Sequence, residues 1–539
     1  MLLMRIILAQ IILGCLFSTL SFSQSGVLDP AFFDQGTLLM FENAGEFPFT
    51  VAEDFIQDSD GNFRVCGRST ASPTTNNFFT LKFNASGELD PNYGTNGVKY
   101  YPESGPLFGV SSIRQLPNGN FVVLTGEITG GPGNNSTVLR ILEMDANGDL
   151  VDGFGNGNNT FTIQGNISNE QLDISPQGKI WVHFNKINQP NIFTVSANIY
   201  CIQFNTNGTL NTQFGSSGLF EYGGEQEDER TFSIEFDAND NAYLCGGFKA
   251  SSNFGVFSEA MVVKVLNNGV LDNNFGTNGI YKFNDGNSNF SAWDAKISNN
   301  DLYLCGFRYS PEESLQNAMI LKMNISGSLN TSFGNSGFTL LNQSVSSFKS
   351  MALSDEGQIA VLGELDNSST NEKDILIALY SSSGSLQQSF GTGGISTPWD
   401  LNNGDDYADK ILFSNNNSGI YISGGGFSNN DPGGGGGSRS PEDGDYAFIQ
   451  KYGYDDPTLV LNFNSTDLLI FPNPAEEKFQ IRSNSPGFWQ LHDISGRQVK
   501  HGQHFGGDQT ISVSDLPTGS YLLYFQDKNG GRSVSKLMH

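Results

Sequence analysis

The chain has 539 residues, with 28 Lys and Arg against 56 Asp and Glu, a formal net charge of −28, and only 16% charged residues. So acidic a chain is unsuited to nucleic acid, whose phosphates need clustered Lys and Arg. Its length exceeds one ordinary core, and 64 glycines with 43 phenylalanines suit turns and strands better than charge-laced helices.

In chain order, residues 1–24 read as a secretory signal. Arg5 supplies a positive start, Ile6 to Leu20 are mostly apolar, and small residues Ser21 and Ser23 precede a cut expected near Gln24. A retained membrane anchor is the weaker alternative, because Gln10 interrupts a run already short for a span. Cys15 has a poor lipidation context in Leu13 and Gly14. No later segment has an apolar run long enough to cross a bilayer.

From residue 25 to 452 one pattern repeats. A leucine followed four residues on by an aromatic recurs at Leu28/Phe32, Leu89/Tyr93, Leu150/Phe154, Leu210/Phe214, Leu271/Phe275, Leu329/Phe333 and Leu386/Phe390. The leucines are 61, 61, 60, 61, 58 and 57 residues apart. Apolar segments such as "AMVVKVL" precede each mark, and after the mark two further strands and a tight turn lead to a near-continuous apolar run such as "AYLCGG". Four strands of about 5–6 residues fill such a repeat. A four-stranded unit cannot bury both faces alone, so the units are expected to stack radially into a seven-bladed β-propeller. A linear β-solenoid, with shorter rungs, is the alternative.

The seventh set ends at "YAFIQKY" without a following Leu…Phe-Gly segment, while "GVLDPAFFDQG" (26–36) stands spare at the N-terminus. The spare copy is expected in the seam between the last and first blades. The other copies read as connectors from one blade to the next, with the Leu and aromatic as inter-blade plugs. With its "G-x-L-D-x-x-F-G-x-x-G" core repeated seven times over residues 26–452, the body resembles the delta-60 repeat of exported bacterial β-propellers. That resemblance implies a fold and no defined activity.

The tail differs in composition. Residues 25–470 carry 20 Lys and Arg against 50 Asp and Glu, whereas residues 471–539 carry 7 against 6 and hold four of the five histidines. This step marks a boundary, with 453–470 as linker and 471–539 as a small Ig-like β-sandwich of short strands. The tail contains Phe471-Pro472-Asn473-Pro474-Ala475, Asp493-Ile494-Ser495-Gly496-Arg497 and Leu516-Pro517-Thr518-Gly519-Ser520-Tyr521, then Lys536-Leu537. On these pieces it resembles the C-terminal sorting domain of type IX secretion substrates in Bacteroidetes. The resemblance implies secretion machinery as partner, a tail removed after export, and a body that is secreted or attached to the outer cell surface.

Catalytic groups are sparse. His183 is the body's only histidine and sits in the apolar "IWVHF", where it reads as a strand residue rather than a base. Cys66, Cys245 and Cys305 occupy one unit position, taken by Thr125, Phe184, Leu362 and Ser423 in the other units, which reads as packing. No Cys/His cluster has zinc spacing. Asp58-Ser59-Asp60-Gly61-Asn62 has calcium-loop oxygen spacing, but no bidentate acid follows and a hairpin turn is favoured. No cofactor is expected, calcium being the one alternative. "DPGGGGGSRS" (431–440) lacks the Lys-Ser/Thr and helix of a phosphate loop.

The units look alike in their polar residues, so none stands out as functional. The leading expectation is a non-enzymatic binding or structural module contacting surface polysaccharide or an extracellular glycan or protein. The alternatives are a carbohydrate-active hydrolase or lyase, and a lectin using aromatics such as Trp293, Trp399 or Tyr407. Two carboxylates and an arginine converging at one end of the channel would favour the enzyme.

Overall fold

A computed structural model describes residues 26–29, 32–33, 37–41, 50–72, 75–102, 107–131, 134–191, 194–224, 227–250, 257–343, 346–367, 372–396, 406–415, 419–426, 446–453, 469–471, 477–483, 486–493, 498–514, 516–517, 520–527 and 532–539. The signal segment 1–24, most of the linker, Trp399 and the glycine run 431–440 lie outside them. The chain forms two compact units, 1–455 and 456–539.

The first unit is a seven-bladed β-propeller of four-stranded antiparallel sheets. The seven inner strands are Thr50–Gln57, Leu107–Gln115, Ile167–Ile174, Asp228–Phe236, Asn289–Ser298, Ser346–Leu353 and Asp406–Phe413, numbered here as blades 1 to 7. Each packs against the next, and the seventh against the first. The second strand of each blade is apolar on both faces because both faces are covered. In blade 4, Ala242 to Phe248 are all buried.

The hydrophobic core is divided by interface. Seven clusters of buried side chains each join two neighbouring blades, from the blade 1–2 group around Cys66, Phe78, Ile113 and Val123 to the blade 7–1 group around Phe32, Phe63, Phe83 and Tyr421. Apolar burial of this kind is what binds blade to blade.

The phase of the repeat differs from the sequence reading. Residues 266–279, with Leu271 and Phe275, connect the third strand of blade 4 (Glu259–Val265) to that blade's own outer strand (Ile280–Phe283). The Leu…Phe-Gly segment is therefore an internal connector, and blades are joined by the loops from outer to next inner strand. A sequence period is blind to phase. Its start is decided by which strands pair.

Within each connector the aromatic is the plug. Phe32, Tyr93, Phe214, Phe275, Phe333 and Phe390 are buried, and Phe275 packs with residues of blades 4 and 5. Leu28, Leu89, Leu210, Leu271, Leu329 and Leu386 are half-buried, each bridging to a third strand, as Leu271 does to Val265. Blade 2 departs from this: Leu150 is 47% exposed and Phe154 only half-buried. There the connector bends through a 3-10 turn with Gly153, Gly155, Asn156 and Gly157 all at positive φ.

Connectors also touch one another. The Gly215 amide donates to the Asn268 carbonyl at 2.8 Å, and a Cβ on Gly269 (φ +80°) would lie 2.3 Å from the Gly215 nitrogen. Glycine is required there for close approach as well as for φ.

Closure uses the N-terminus twice. Thr37–Phe41 is the outer strand of blade 7, paired with Tyr446–Gly453. Before it, Leu28 bridges to Tyr452, and the Gly26 and Asp29 amides donate to Gly453 and Lys451 carbonyls at 2.9 and 2.8 Å. Phe32 is fully buried between Tyr421 of blade 7 and Phe83 of blade 1.

The second unit is a two-sheet β-sandwich. Leu469–Phe471, Lys478–Ser483 and Gly507–Ser512 form one sheet; Gln498–His504, Gly487–Asp493, Ser520–Asp527 and Arg532–Met538 form the other. Phe479, Ile481, Trp489, Leu491, Tyr521 and Leu523 are in its core.

Candidate functional site in the central channel

Every inner strand carries a β-bulge at the same place. The register against the second strand breaks between Ala52 and Asp54, Val110 and Ser112, Ser168 and Gln171, Thr231 and Ser233, Ala292 and Asp294, Phe348 and Ser350, and Ala408 and Lys410. A bulge re-aims a side chain and leaves an amide outside the ladder. The bulge residues are Glu53, Ser111, Asn169 with Glu170, Phe232, Trp293, Lys349 and Asp409. All except Glu170 line one cavity of about 490 Å³.

The freed amides are used to clasp neighbours. Asp54 Oδ2 accepts from the Ile113 amide at 3.1 Å, Ser112 Oγ from Leu172 at 3.1 Å, Asp294 Oδ2 from Met351 at 2.9 Å, and Ser350 Oγ from Ile411 at 3.3 Å. In each pair the acceptor follows the bulge of one blade and the donor lies just beyond the bulge of the next. Lys410 adds an ion pair to Asp54 across the blade 7–1 seam. Further along the strands, Arg114 pairs with Asp54 and, at 3.2 Å, with Asp173. Lys296 pairs with Glu235 at 2.9 Å and Asp294 at 3.2 Å.

Burial alone would raise the Asp54 pKa, but Arg114, Lys410 and the Ile113 amide outweigh it and hold it below the usual range. Lys410 is itself lowered, first by burial and then by the Arg114 charge. Arg114, raised by Asp173 and Asp54 against the cost of burial, is the firmer partner.

The bulge ring has two contrasting sides. On blades 4 and 5, Phe232 and Trp293 have ring centroids 6.4 Å apart, flanked by Phe257 and Phe307 at 6.0 and 5.7 Å. The Trp293 indole donates to Ser291 Oγ at 3.0 Å, and the Lys349 ammonium lies 3.2 Å from a Trp293 ring centroid. On blades 7 and 1 stand Asp409 and Glu53, the latter paired with Arg68. Glu53 and Asp409 both line this cavity, and Arg68 is bound to Glu53.

Asp409 is open to the channel, yet the protein walls around it displace bulk water. That desolvation, then the charges of Glu53, Glu364 and Asp54, push its carboxyl well above the ordinary range. Burial and the Glu53 charge push Glu170 up to about 7. A carboxyl raised on folding binds more protons in the folded state, so stability falls as pH rises from its ordinary value through the raised one. Asp409→Asn should therefore raise the melting temperature at neutral pH and leave it unchanged below the ordinary carboxylate pKa. Equal melting shifts at both pH values would refute this. Like-charge crowding that costs stability is common at functional sites.

The other sequence candidates lie elsewhere. His183 is fully buried opposite Gln171 and Cys201, and desolvation lowers it to about 4, so it stays neutral. By register, His183 in blade 3 and Leu124 in blade 2 match Cys66, Cys245 and Cys305, so the sequence alignment to Phe184 and Thr125 was one residue off. Cys66, Cys201, Cys245 and Cys305 are buried free thiols, raised by desolvation and so poorly reactive. Asp58 Oδ1 accepts from the Asp60 and Asn62 amides and Oδ2 pairs with Arg64 at 3.3 Å, the arrangement of a hairpin turn. Among the described residues no cluster of three or more His, Cys, Asp or Glu could hold a metal ion.

Glu53, Glu170, Phe232, Lys349 and Asp409 were not singled out from sequence. Their signal was present: aligned at the bulge, the seven units differ in every copy. Trp293 is in the channel wall rather than in a shallow pocket of its blade. Tyr407 sits two residues before Asp409, half-buried, and is raised by burial.

Residues 469–539 match the family model of the secretion system C-terminal sorting domain. The tail is a sorting domain. It indicates a protein that is secreted or attached to the cell surface, and it implies contact with type IX secretion machinery. The sorting domain's Tyr521 is buried and donates to the Pro517 carbonyl. Pro472, Asn473, Pro474, Gly496 and Gly519 lie outside the described residues. No helix among the described residues is long and apolar enough to cross a membrane.

Comparison with curated protein sequences gives no match. Among solved structures, an α-L-arabinofuranosidase, arb93a, from Fusarium graminearum is similar at 9% identity and TM-score 0.38, over 78% of this chain and 97% of that one. The polysaccharide lyase Uly1 is similar at 8% identity and TM-score 0.41, over 75% and 90%. Drosophila Semaphorin 2a is similar at 8% identity and TM-score 0.40, over 96% and 98%. Likenesses this remote carry no argument about activity.

Proposed function

We propose that this is an exported propeller, delivered by a type IX-like route and relieved of its tail afterwards, that binds an extracellular glycan in its central channel. The observation that carries the reading is the two-sided bulge ring, with Trp293 and Phe232 opposed to polar and carboxyl groups around one cavity. A sugar has an apolar ring face and a hydroxylated rim, and needs both kinds of wall. The bacterial delta-60 resemblance of the repeat fits an extracellular role.

A glycan array on the full chain tests the reading. Trp293→Ala should weaken the best ligand about thirtyfold, the loss of one anchor of about 2 kcal/mol. Unchanged affinity would place the site elsewhere. A second reading is supported by the convergence of Glu53, Asp409 and Arg68: glycan cleavage with Asp409 as proton donor. Product release in a polysaccharide degradation assay, abolished by Asp409→Asn, would establish it over simple binding.

A further inference from the structure

Resting on the glycan reading, we propose that the channel selects a sugar bearing a free amine, its ammonium held by Asp409 and its ring covered by Trp293 and Phe232. The argument starts from a charge inventory of the cavity wall. Arg114 and Lys410 are committed to Asp54, and Lys296 to Glu235 and Asp294. Lys349 is committed to Glu364 at 3.5 Å. Among the described residues the one charge left over is negative. Among the described residues Asp409 has neither an ion pair nor a hydrogen bond, while its neighbour Glu53 is taken by Arg68.

The surroundings of Asp409 make it a receptor for positive charge. Glu53 and Asp54 face it from blade 1, Glu364 from blade 6 and Tyr407 from its own strand. A carboxylate so placed gains from any cation brought beside it and repels an anionic sugar. The opposite wall already carries a cation, the Lys349 ammonium 3.2 Å from a Trp293 ring centroid, balanced by Glu364. An N-acetylated sugar would answer none of the leftover charge.

Isothermal titration of the full chain tests the proposal with three probes: glucosamine oligomers, the same oligomers N-acetylated, and tetramethylammonium. Titration is done near neutral pH, where a share of the amine is still charged and Asp409 is more ionised than in acid. Glucosamine oligomers should bind at least about tenfold more tightly than the acetylated ones, the worth of one charge-assisted contact. Asp409→Asn should erase that difference. Tetramethylammonium, whose charge is permanent, should bind better as pH rises and Asp409 ionises, and not at all to Asp409→Asn. Equal binding of both oligomers, or a preference that survives Asp409→Asn, would overturn the amine inference and leave the glycan reading standing. No binding by either oligomer, with or without tetramethylammonium binding, would overturn the amine inference, and the glycan reading would then stand or fall on the array.

Discussion

Phe32→Ala should destabilise the propeller by about 4 kcal/mol, the usual cost of emptying a fully buried phenylalanine site. Phe32 comes from the N-terminal connector, and its ring lies 5.5 Å from Tyr421 of blade 7 and 6.0 Å from Phe83 of blade 1. The cavity would open at the one interface where the chain's two ends must meet. The adjacent Phe33 is 40% exposed and gives the control. Phe33→Ala should cost well under about 1 kcal/mol, as surface changes do. Denaturant melts of both variants decide the matter. Equal losses, or no loss at Phe32, would mean that the seam is held by Thr37–Phe41 pairing alone. Deleting residues 26–36 should be at least as damaging as Phe32→Ala, since it also removes the Leu28 bridge and three backbone hydrogen bonds to the last strand.

Asp54→Ala should cost about 3–5 kcal/mol at neutral pH, because it strips a buried charge cluster of its anion. Asp54 accepts from the Ile113 amide and pairs with Arg114 and Lys410, so one carboxylate clasps blades 7, 1 and 2. Arg114 keeps Asp173, but Lys410 is left without a carboxylate partner among the ion pairs of the described residues. The pH dependence carries a definite sign. The folded-state pKa of Asp54 is lowered, so its contribution is full above the ordinary carboxylate value and is lost as pH falls through the lowered one. The gap between wild type and Asp54→Asn should accordingly close in acid. A gap that persists at low pH would show that packing, rather than charge, makes this residue matter. Asp409 runs in the opposite sense, its raised carboxyl costing stability as pH rises. One channel thus contains a carboxylate that supports the ring and another that is held against its preference.

The two residues show what was legible in advance. The seven Leu…aromatic marks and their spacing point to a repeat of about 60 residues and to seven units. The spare copy at 26–36 points to a closed ring. The composition step and the Pro-Asn-Pro, Asp-Ile-Ser-Gly-Arg and Leu-Pro-Thr-Gly-Ser-Tyr pieces point to the sorting tail. All of these are local or periodic, and hydrophobic periodicity survives in a linear string. The reading of the units as alike in polar residues failed at one column. Glu53, Ser111, Asn169, Phe232, Trp293, Lys349 and Asp409 are equivalent only once the bulge register is known, and blade 3 spends two residues on its bulge where the others spend one.

By itself the sequence determined the architecture, the blade number and the export address of this protein. Repetition specifies them many times over, and no single contact has to be known. Tertiary structure alone decided three things: that each connector lies inside a blade, that Thr37–Phe41 completes the seventh sheet, and which side chains share the channel. Strand pairing sets the first two, because hydrogen-bond partners are chosen across tens or hundreds of residues. Ring closure sets the third. It brings Asp409 beside Glu53 across more than three hundred residues, and only in that company is an unremarked aspartate held against its preference.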